Sequence, residues 1–192
     1  VLKMLLPSSV EIINTTNGVY NTSDASVIFK ISNRTVVHVV VFKNGTNICV
    51  YNNTDFMGDI FRIGNLTTGI YNITIYNAES DYYTASNASA IFQVIAPFTI
   101  IASDLSRGYG SPYDYVAKFS DEFGNILTNT TVIMEVKGKR YEVVTDENGA
   151  AYLTNSTLPV GKHEIRLYNP VTNESAVFNI TIVERLQENR NI

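Results

Sequence analysis

Runs of five to nine β-branched and aromatic residues recur along this chain, each closed by a cluster of Asn, Asp, Gly or Ser, and amphipathic helical spacing is nowhere sustained over about 11 residues. Side chains alternate faces along a strand, so runs this short can bury one face only by pairing into sheets that pack on one another. The spacing predicts strands over Val10–Asn14, Ser26–Ser32, Val36–Lys43, Thr46–Tyr51, Asp59–Ile63, Gly69–Asn77 and Ser89–Ala96. A second set follows: Phe98–Ser103, Tyr113–Ser120, Thr130–Lys137, Arg140–Thr145, Ala150–Thr154, Gly161–Asn169 and Ser175–Val183. Turn formers punctuate the runs, as in Lys43-Asn44-Gly45-Thr46, Lys137-Gly138-Lys139 and Asp146-Glu147-Asn148-Gly149. Seven short strands, twice, make the chain all-β.

The doubling is also legible residue by residue. Leu66-Thr67-Thr68-Gly69-Ile70-Tyr71 through Tyr76-Asn77 aligns with Leu158-Pro159-Val160-Gly161-Lys162-His163 through Tyr168-Asn169. Ser89-Ala90-Ile91-Phe92 aligns with Ser175-Ala176-Val177-Phe178, and Lys30 with Lys118. The offsets drift because surface connections change length while the framework persists. With turn signals every eight to twelve residues, the expected architecture is two tandem seven-stranded immunoglobulin-like β-sandwiches. The expected division is residues 1–96, residues 97–184, and residues 185–192 as a linker or the start of a following domain of a longer precursor. The connection through Ala96-Pro97 is short and stiffened by proline, which predicts a semi-rigid arrangement. Tyr71 falls where such sandwiches place a tyrosine corner, a phenol bonded back to nearby backbone. Its counterpart His163 is expected to be a packing variant rather than a ligand or base.

Composition enters through one anomaly. The chain has 21 Asn, 19 Thr and 14 Ser, and Asn-x-Ser/Thr occurs twelve times, at Asn14, Asn21, Asn33, Asn44, Asn52, Asn65, Asn72, Asn87, Asn129, Asn155, Asn173 and Asn179. Independent placement would give about 3.6 such sites. Turn chemistry favours Asn beside Ser and Thr and accounts for part of the excess, not most of it. The excess implies an N-glycosylating secretory route and an extracellular location. Asn72, mid-strand, should share the solvent face opposite Tyr71, Ile73 and Ile75.

Several function classes fall away. A net charge of −4 with 14 Lys plus Arg offers no basic footprint for nucleic acid. The longest apolar run, Val36–Phe42, is interrupted by His38 and is far short of a membrane span. Val1–Leu6 lacks the basic lead-in and cleavage site of an intact signal peptide. The single Cys49 precludes an internal disulfide and reads as a small buried hydrophobe. His38 and His163 lie in different copies, and no zinc, nucleophile-elbow or phosphate-loop pattern occurs, so neither catalytic residues, nor a metal, nor a cofactor is expected. Asp121-Glu122 and Asp146-Glu147 sit in turns. Asp104, Asp121, Asp146 and Asn148 could be offered to calcium, but Asp146-x-Asn148-Gly149 lacks the remaining ligands of a calcium loop, and turn chemistry is the better reading. A Lys–Asn isopeptide link through Lys30 or Lys118 and Asn179 is disfavoured, because Lys118 alternates away from Tyr115, Ala117 and Phe119. The tyrosine-rich segments, with Tyr82, Tyr83, Tyr109, Tyr113 and Tyr115, are the recognition patches the sequence offers, although loop packing would also account for them.

The second copy resembles a known family in its loop phrases: Ile101-Ala102-Ser103-Asp104 through Ser111-Pro112-Tyr113-Asp114-Tyr115, Phe123-Gly124-Asn125, Thr145-Asp146-Glu147-Asn148-Gly149-Ala150, and Leu158-Pro159-Val160-Gly161 to Tyr168-Asn169-Pro170. These are similar to the bacterial-type immunoglobulin-like (Big) repeats of adhesin-like surface proteins of methanogenic archaea. The resemblance covers nearly all of residues 98–184; the first copy matches the class more loosely and lacks the Thr-Asp-x-Asn-Gly turn. It implies an extracellular, cell-surface stalk or adhesion module without catalytic residues. The expected partners are a cell-surface protein or glycan of a neighbouring cell and further domains of the same chain. The alternative is the structural protomer of an extracellular filament, self-assembled by strand addition through Val1–Leu6 or the terminal strand.

Overall fold

The structure, a computed structural model, describes residues 4–112, 114–154 and 157–184. The chain divides into two units, Val1–Pro97 and Phe98–Ile192, and every regular element among the described residues is a strand.

The first unit contains β1 (Ser9–Thr16), β2 (Gly18–Val19), β3 (Ala25–Ser32), β4 (Val37–Lys43), β5 (Cys49–Asn53), β6 (Ile60–Ile63), β7 (Gly69–Asn77) and β8 (Ser86–Ile95). They form a three-stranded sheet, β1-β3-β6, and a five-stranded sheet, β2-β8-β7-β4-β5. The second unit repeats this with β9 (Ile100–Ile101), β10 (Leu105–Gly108), β11 (Asp114–Phe119), β12 (Thr131–Val136), β13 (Lys139–Val144), β14 (Ala150–Thr154), β15 (Gly161–Asn169) and β16 (Glu174–Val183). Its sheets are β14-β11-β9 and β10-β16-β15-β12-β13. Strand for strand the two orders coincide, and each unit is an immunoglobulin-like sandwich.

Each unit has the seven anticipated strands and one more. β2 and β10 are short strands parallel to the last strand, β8 and β16. They exist because the first edge strand changes sheets, and a side-chain oxygen steadies each change. Asn17 Oδ1 accepts the Gln93 N–H at 2.9 Å, and Asp104 Oδ1 accepts the Asn179 N–H at 2.8 Å. In the first unit the change also needs Gly18, where an added Cβ would lie 2.9 Å from the Ala25 nitrogen.

Alternation puts the core where the sequence pattern requires it. Val27 and Phe29 of β3, Val39 and Val41 of β4, Phe61 of β6, Tyr71, Ile73 and Ile75 of β7 and Phe92 of β8 close the first core. Tyr71 and Phe92 stack at 5.4 Å, and Tyr51 meets Phe61 edge-on at 4.9 Å. The second core contains Tyr115, Phe119, Val132, Met134, Leu153, Ile165, Leu167 and Ile180. Each such aliphatic or aromatic side chain contributes about 1.5–3 kcal/mol by leaving water.

Buried asparagines close one end of each sandwich. Asn77 Oδ1 accepts the Thr35 N–H at 2.8 Å, and its Nδ2 donates to the Asn33 carbonyl at 3.1 Å. Asn169 Nδ2 donates to the Ser120 carbonyl at 2.8 Å and to Thr99 Oγ1 at 3.1 Å, while its Oδ1 accepts the Val171 N–H at 3.1 Å. Both asparagines are fully buried, and these bonds satisfy backbone groups that strand pairing leaves over.

Candidate functional site

The sequon asparagines sit on the outside. Among the described ones, Asn14, Asn21, Asn33, Asn44, Asn52, Asn65, Asn87, Asn129 and Asn173 are exposed, Asn72 and Asn179 partly so; Asn155 lies outside the described residues. Asn21, Asn33, Asn65, Asn129 and Asn173 have φ between 48° and 59°, the left-handed region in which Asn is favoured among residues other than Gly. At these five, backbone chemistry alone gives a reason for Asn. It gives none for Asn14, Asn52, Asn72, Asn87 and Asn179, which lie in extended strands. Asn179 is also committed locally, its Nδ2 donating to Asp104 Oδ2 at 3.1 Å.

Three of the strand sequons share one face. On the outer side of the five-stranded sheet of the first unit, Asn72 lies directly between Phe42 and Ile91, Asn87 beside Tyr76, and Asn52 beside Val40. Residues n and n+2 of a strand point the same way, so Thr74 and Ser89, the hydroxyl members of two of these sequons, occupy the same face. They hydrogen-bond to each other across the strands at 2.9 Å. Phe42, Tyr76 and Ile91 are 42%, 47% and 59% exposed. Asn72 is where alternation requires it, opposite the buried Tyr71, Ile73 and Ile75.

Register identifies the equivalent face of the second unit, and its chemistry is different. Glu135, Arg140, Lys162, Glu164 and Arg166 stand where the first unit has Val40, Asn52, Ile70, Asn72 and Thr74. Arg166 bonds Glu164 at 2.8 Å, and Arg140 approaches Glu142 at 3.7 Å.

The tyrosines divide into exposed and buried. Tyr82 is 72% exposed in the β7–β8 connection, beside the partly buried Tyr83. Ser80 Oγ accepts both of their backbone N–H groups, at 3.2 and 3.1 Å. Leu6 runs parallel to this loop, its N–H on the Tyr82 carbonyl at 2.8 Å and its carbonyl taking the Thr84 N–H at 2.9 Å. The Leu6 end of the Val1–Leu6 segment is thus paired within its own chain; residues 1–3 lie outside the described residues. Tyr109 is 57% exposed beyond β10, and Tyr113 lies outside the described residues. Tyr115 does not belong to a surface patch. It is 1% exposed, at an inward position of β11 that strand alternation assigns to the core. Its hydroxyl has no hydrogen-bond partner among the described residues, and desolvation, with the Asp104 charge second, pushes its pKa up to about 12.

Tyr71 makes the expected corner, its phenol donating to the Thr67 carbonyl at 2.7 Å. His163 reproduces that bond, with Nε2 2.7 Å from the Pro159 carbonyl, so it is a corner residue in its own right rather than a mere packing substitute. Cys49 is exposed, contrary to the buried reading. Residues 44–48 are turn and loop, so β5 begins only at Cys49, which pairs with the outward-facing Phe42.

The acidic side chains are occupied by backbone. Asp121 Oδ1 accepts the Phe123 and Asn125 N–H groups at 2.9 Å each, and Asp146 Oδ1 those of Asn148 and Ala150 at 2.8 Å each. The Ala150 N–H foremost holds the Asp146 carboxyl below the usual range, and the Asn179 N–H does the same for Asp104. Among the described residues, no group of three His, Cys, Asp or Glu could hold a metal ion, and no helix is long and apolar enough to cross a membrane. Lys118 is exposed, on the face opposite the core.

No protein-family model matches the chain, and no curated protein matches it. Among solved structures, the chain is similar to a three-immunoglobulin-domain fragment of titin at 13% identity and a TM-score of 0.45, over 91% of this chain and 65% of that one. It therefore spans about two-thirds of that fragment's length. The D00-D0 domain of intimin shares 12% identity over 92% of this chain and 99% of its own, at a TM-score of 0.43. The fibronectin(III)-like modules of CbhA from Clostridium thermocellum share 16% over 91% and 94%, at a TM-score of 0.35. The assignment of each unit as an immunoglobulin-like sandwich rests on its own strand order and register.

Proposed function

We propose that this chain is an extracellular, cell-surface adhesin-like module. Two immunoglobulin-like domains, residues 1–96 and 97–184, act as stalk or adhesion units and attach to a surface protein or glycan of a neighbouring cell. Its kin are the adhesin-like surface proteins of methanogenic archaea that the second copy resembles in sequence. The observation that carries the reading is the sequon set: twelve where chance gives about 3.6, with none of the eleven described sequon asparagines buried. The loop bearing Tyr82 and Tyr83 suits contact with a partner, since Ser80 and Leu6 hold its backbone and an exposed phenol offers apolar area with a polar tip. The experiment is binding of the purified chain to whole cells and immobilised glycans. Wild type binds, and Tyr82→Ala weakens binding by about tenfold or more. Failure to bind any surface, with filaments in electron micrographs of the same material, would replace the adhesive reading by the filament protomer assembled by strand addition.

A further inference from the structure

We propose that the outer face of the five-stranded sheet in the first unit is covered by the chain's own N-linked sugar, attached at Asn72 and laid over Phe42 and Ile91, with sugars on Asn52 and Asn87 completing the cover. This deepens the extracellular reading and rests on it.

The face needs a cover. Phe42, Tyr76 and Ile91 are each between 42% and 59% exposed on one sheet surface. An exposed apolar sheet face invites association unless something occupies it. The second unit's equivalent face carries charged side chains, among them the paired Glu164 and Arg166, around Val177 and the sequon residue Asn179. At those two positions the first unit has Asn72 and Thr74, the two ends of one sequon. In place of charge these two positions hold an attachment site for a polar chain, and among the described residues no Asp, Glu, Lys or Arg occupies the outward paired positions of β4, β7 and β8, where His38 is the titratable side chain.

The local geometry suits attachment. Asn72 and Thr74 point outward together, as period-two alternation dictates, so asparagine and hydroxyl are offered on one side. Asn72 Nδ2 makes one long contact, 3.4 Å to Asn44 Oδ1, which uses one of its two hydrogens and leaves the other for substitution. Attachment forms the bond from Nδ2 to the sugar C1 while the C1–O bond to a lipid-phosphate donor breaks. The amide proton leaves with the phosphate. The first sugar then sits beside Phe42 on one neighbouring strand and Ile91 on the other, where its C–H face replaces water over both.

The test produces the whole chain in an N-glycosylating host and maps each sequon by glycopeptide mass. Wild type and Thr74→Ala are then compared by calorimetry and apolar-dye binding, in the native background and with Phe42→Ser. The same pairs from a host without N-glycosylation give the cost of the Thr74–Ser89 hydrogen bond alone, which is subtracted. Asn72 should carry sugar. Thr74→Ala should lower the Tm of the first unit by about 4 °C beyond the hydrogen-bond cost and raise dye binding. With Phe42→Ser that extra loss should fall to less than about half. Two results overturn the proposal: Asn72 bare while Asn21 or Asn129 carries sugar, or a sugar effect the same size with and without Phe42. A chain bare at every sequon would remove the extracellular reading as well, which separates the two failures.

Discussion

One chemical change, Tyr to Phe, should have opposite effects at the two buried tyrosines. Tyr71 and Tyr115 are both 1% exposed, so deleting either hydroxyl leaves the packing of the ring in place. Tyr71 loses its 2.7 Å bond to the Thr67 carbonyl. A net intramolecular hydrogen bond is worth about 0.5–1.5 kcal/mol, and Thr67 is exposed enough for water to take over its carbonyl, so Tyr71→Phe should cost about 1 kcal/mol. In a unit of this size that is a fall of about 4–8 °C in Tm. Tyr115 has no bond to lose among the described residues. Its hydroxyl is buried without a partner, and removing an unsatisfied group returns its desolvation penalty, so Tyr115→Phe should gain about 1 kcal/mol and raise the Tm of the second unit by a similar amount. Alkali provides an independent sign. The folded phenol ionises near pH 12, above its ordinary value of 10, because burial disfavours the anion. A raised folded-state pKa contributes stability that is complete below pH 10 and is lost as pH climbs towards 12, so the advantage of Tyr115→Phe should widen over that window. Differential scanning calorimetry of both variants reads this directly, each substitution naming the transition it moves. Two shifts of the same sign, or a fall in Tm for Tyr115→Phe, would refute the reasoning.

Other consequences follow from polar groups inside the sandwiches. Asp146 is held below its usual pKa chiefly by the Ala150 N–H, so its contribution is complete above pH about 4 and lost as pH falls through the lower folded value. Acid unfolding of the second unit should therefore flatten in Asp146→Ala, read by circular dichroism between pH 5 and pH 2, whereas parallel curves would show that the turn bonds carry no weight. Asn169→Ala leaves the Ser120 carbonyl and the Val171 N–H without their buried partner and should cost about 1–3 kcal/mol by urea denaturation, with Asn77→Ala similar in the first unit.

Alternation and turn chemistry make the two sandwiches legible, because β3, β4, β7, β12 and β15 each have one buried face and period two is then visible in the residues. β2 and β10 escape because two and four residues cannot display a period; the signal that could find them is the Asn17-Gly18 step and Asp104, polar or small residues at each change of sheet. Cys49 was misplaced because the turn after β4 takes more of the chain than Asn44-Gly45 alone suggested. Composition alone groups Tyr115 with the loop tyrosines, although its own strand, Asp114–Phe119, alternates cleanly and puts it inside. His163 looked like a lost tyrosine because a sequence shows the residue change and not the carbonyl four positions back that both side chains reach. The apolar face around Asn72 was hidden for a different reason: Phe42, Asn72 and Ile91 are far apart in sequence and become neighbours only through cross-strand register.

On the proposed reading the chain lives outside the cell and carries sugars on its sequons. The most direct measurement is the intact mass of the protein from its native host, before and after chemical deglycosylation. The expected result is a mass above that of the bare 21.3 kDa polypeptide, or of whatever longer chain contains it, falling to the polypeptide value when the sugars are removed. A native mass equal to the unmodified polypeptide would show bare sequons and remove the extracellular glycoprotein reading.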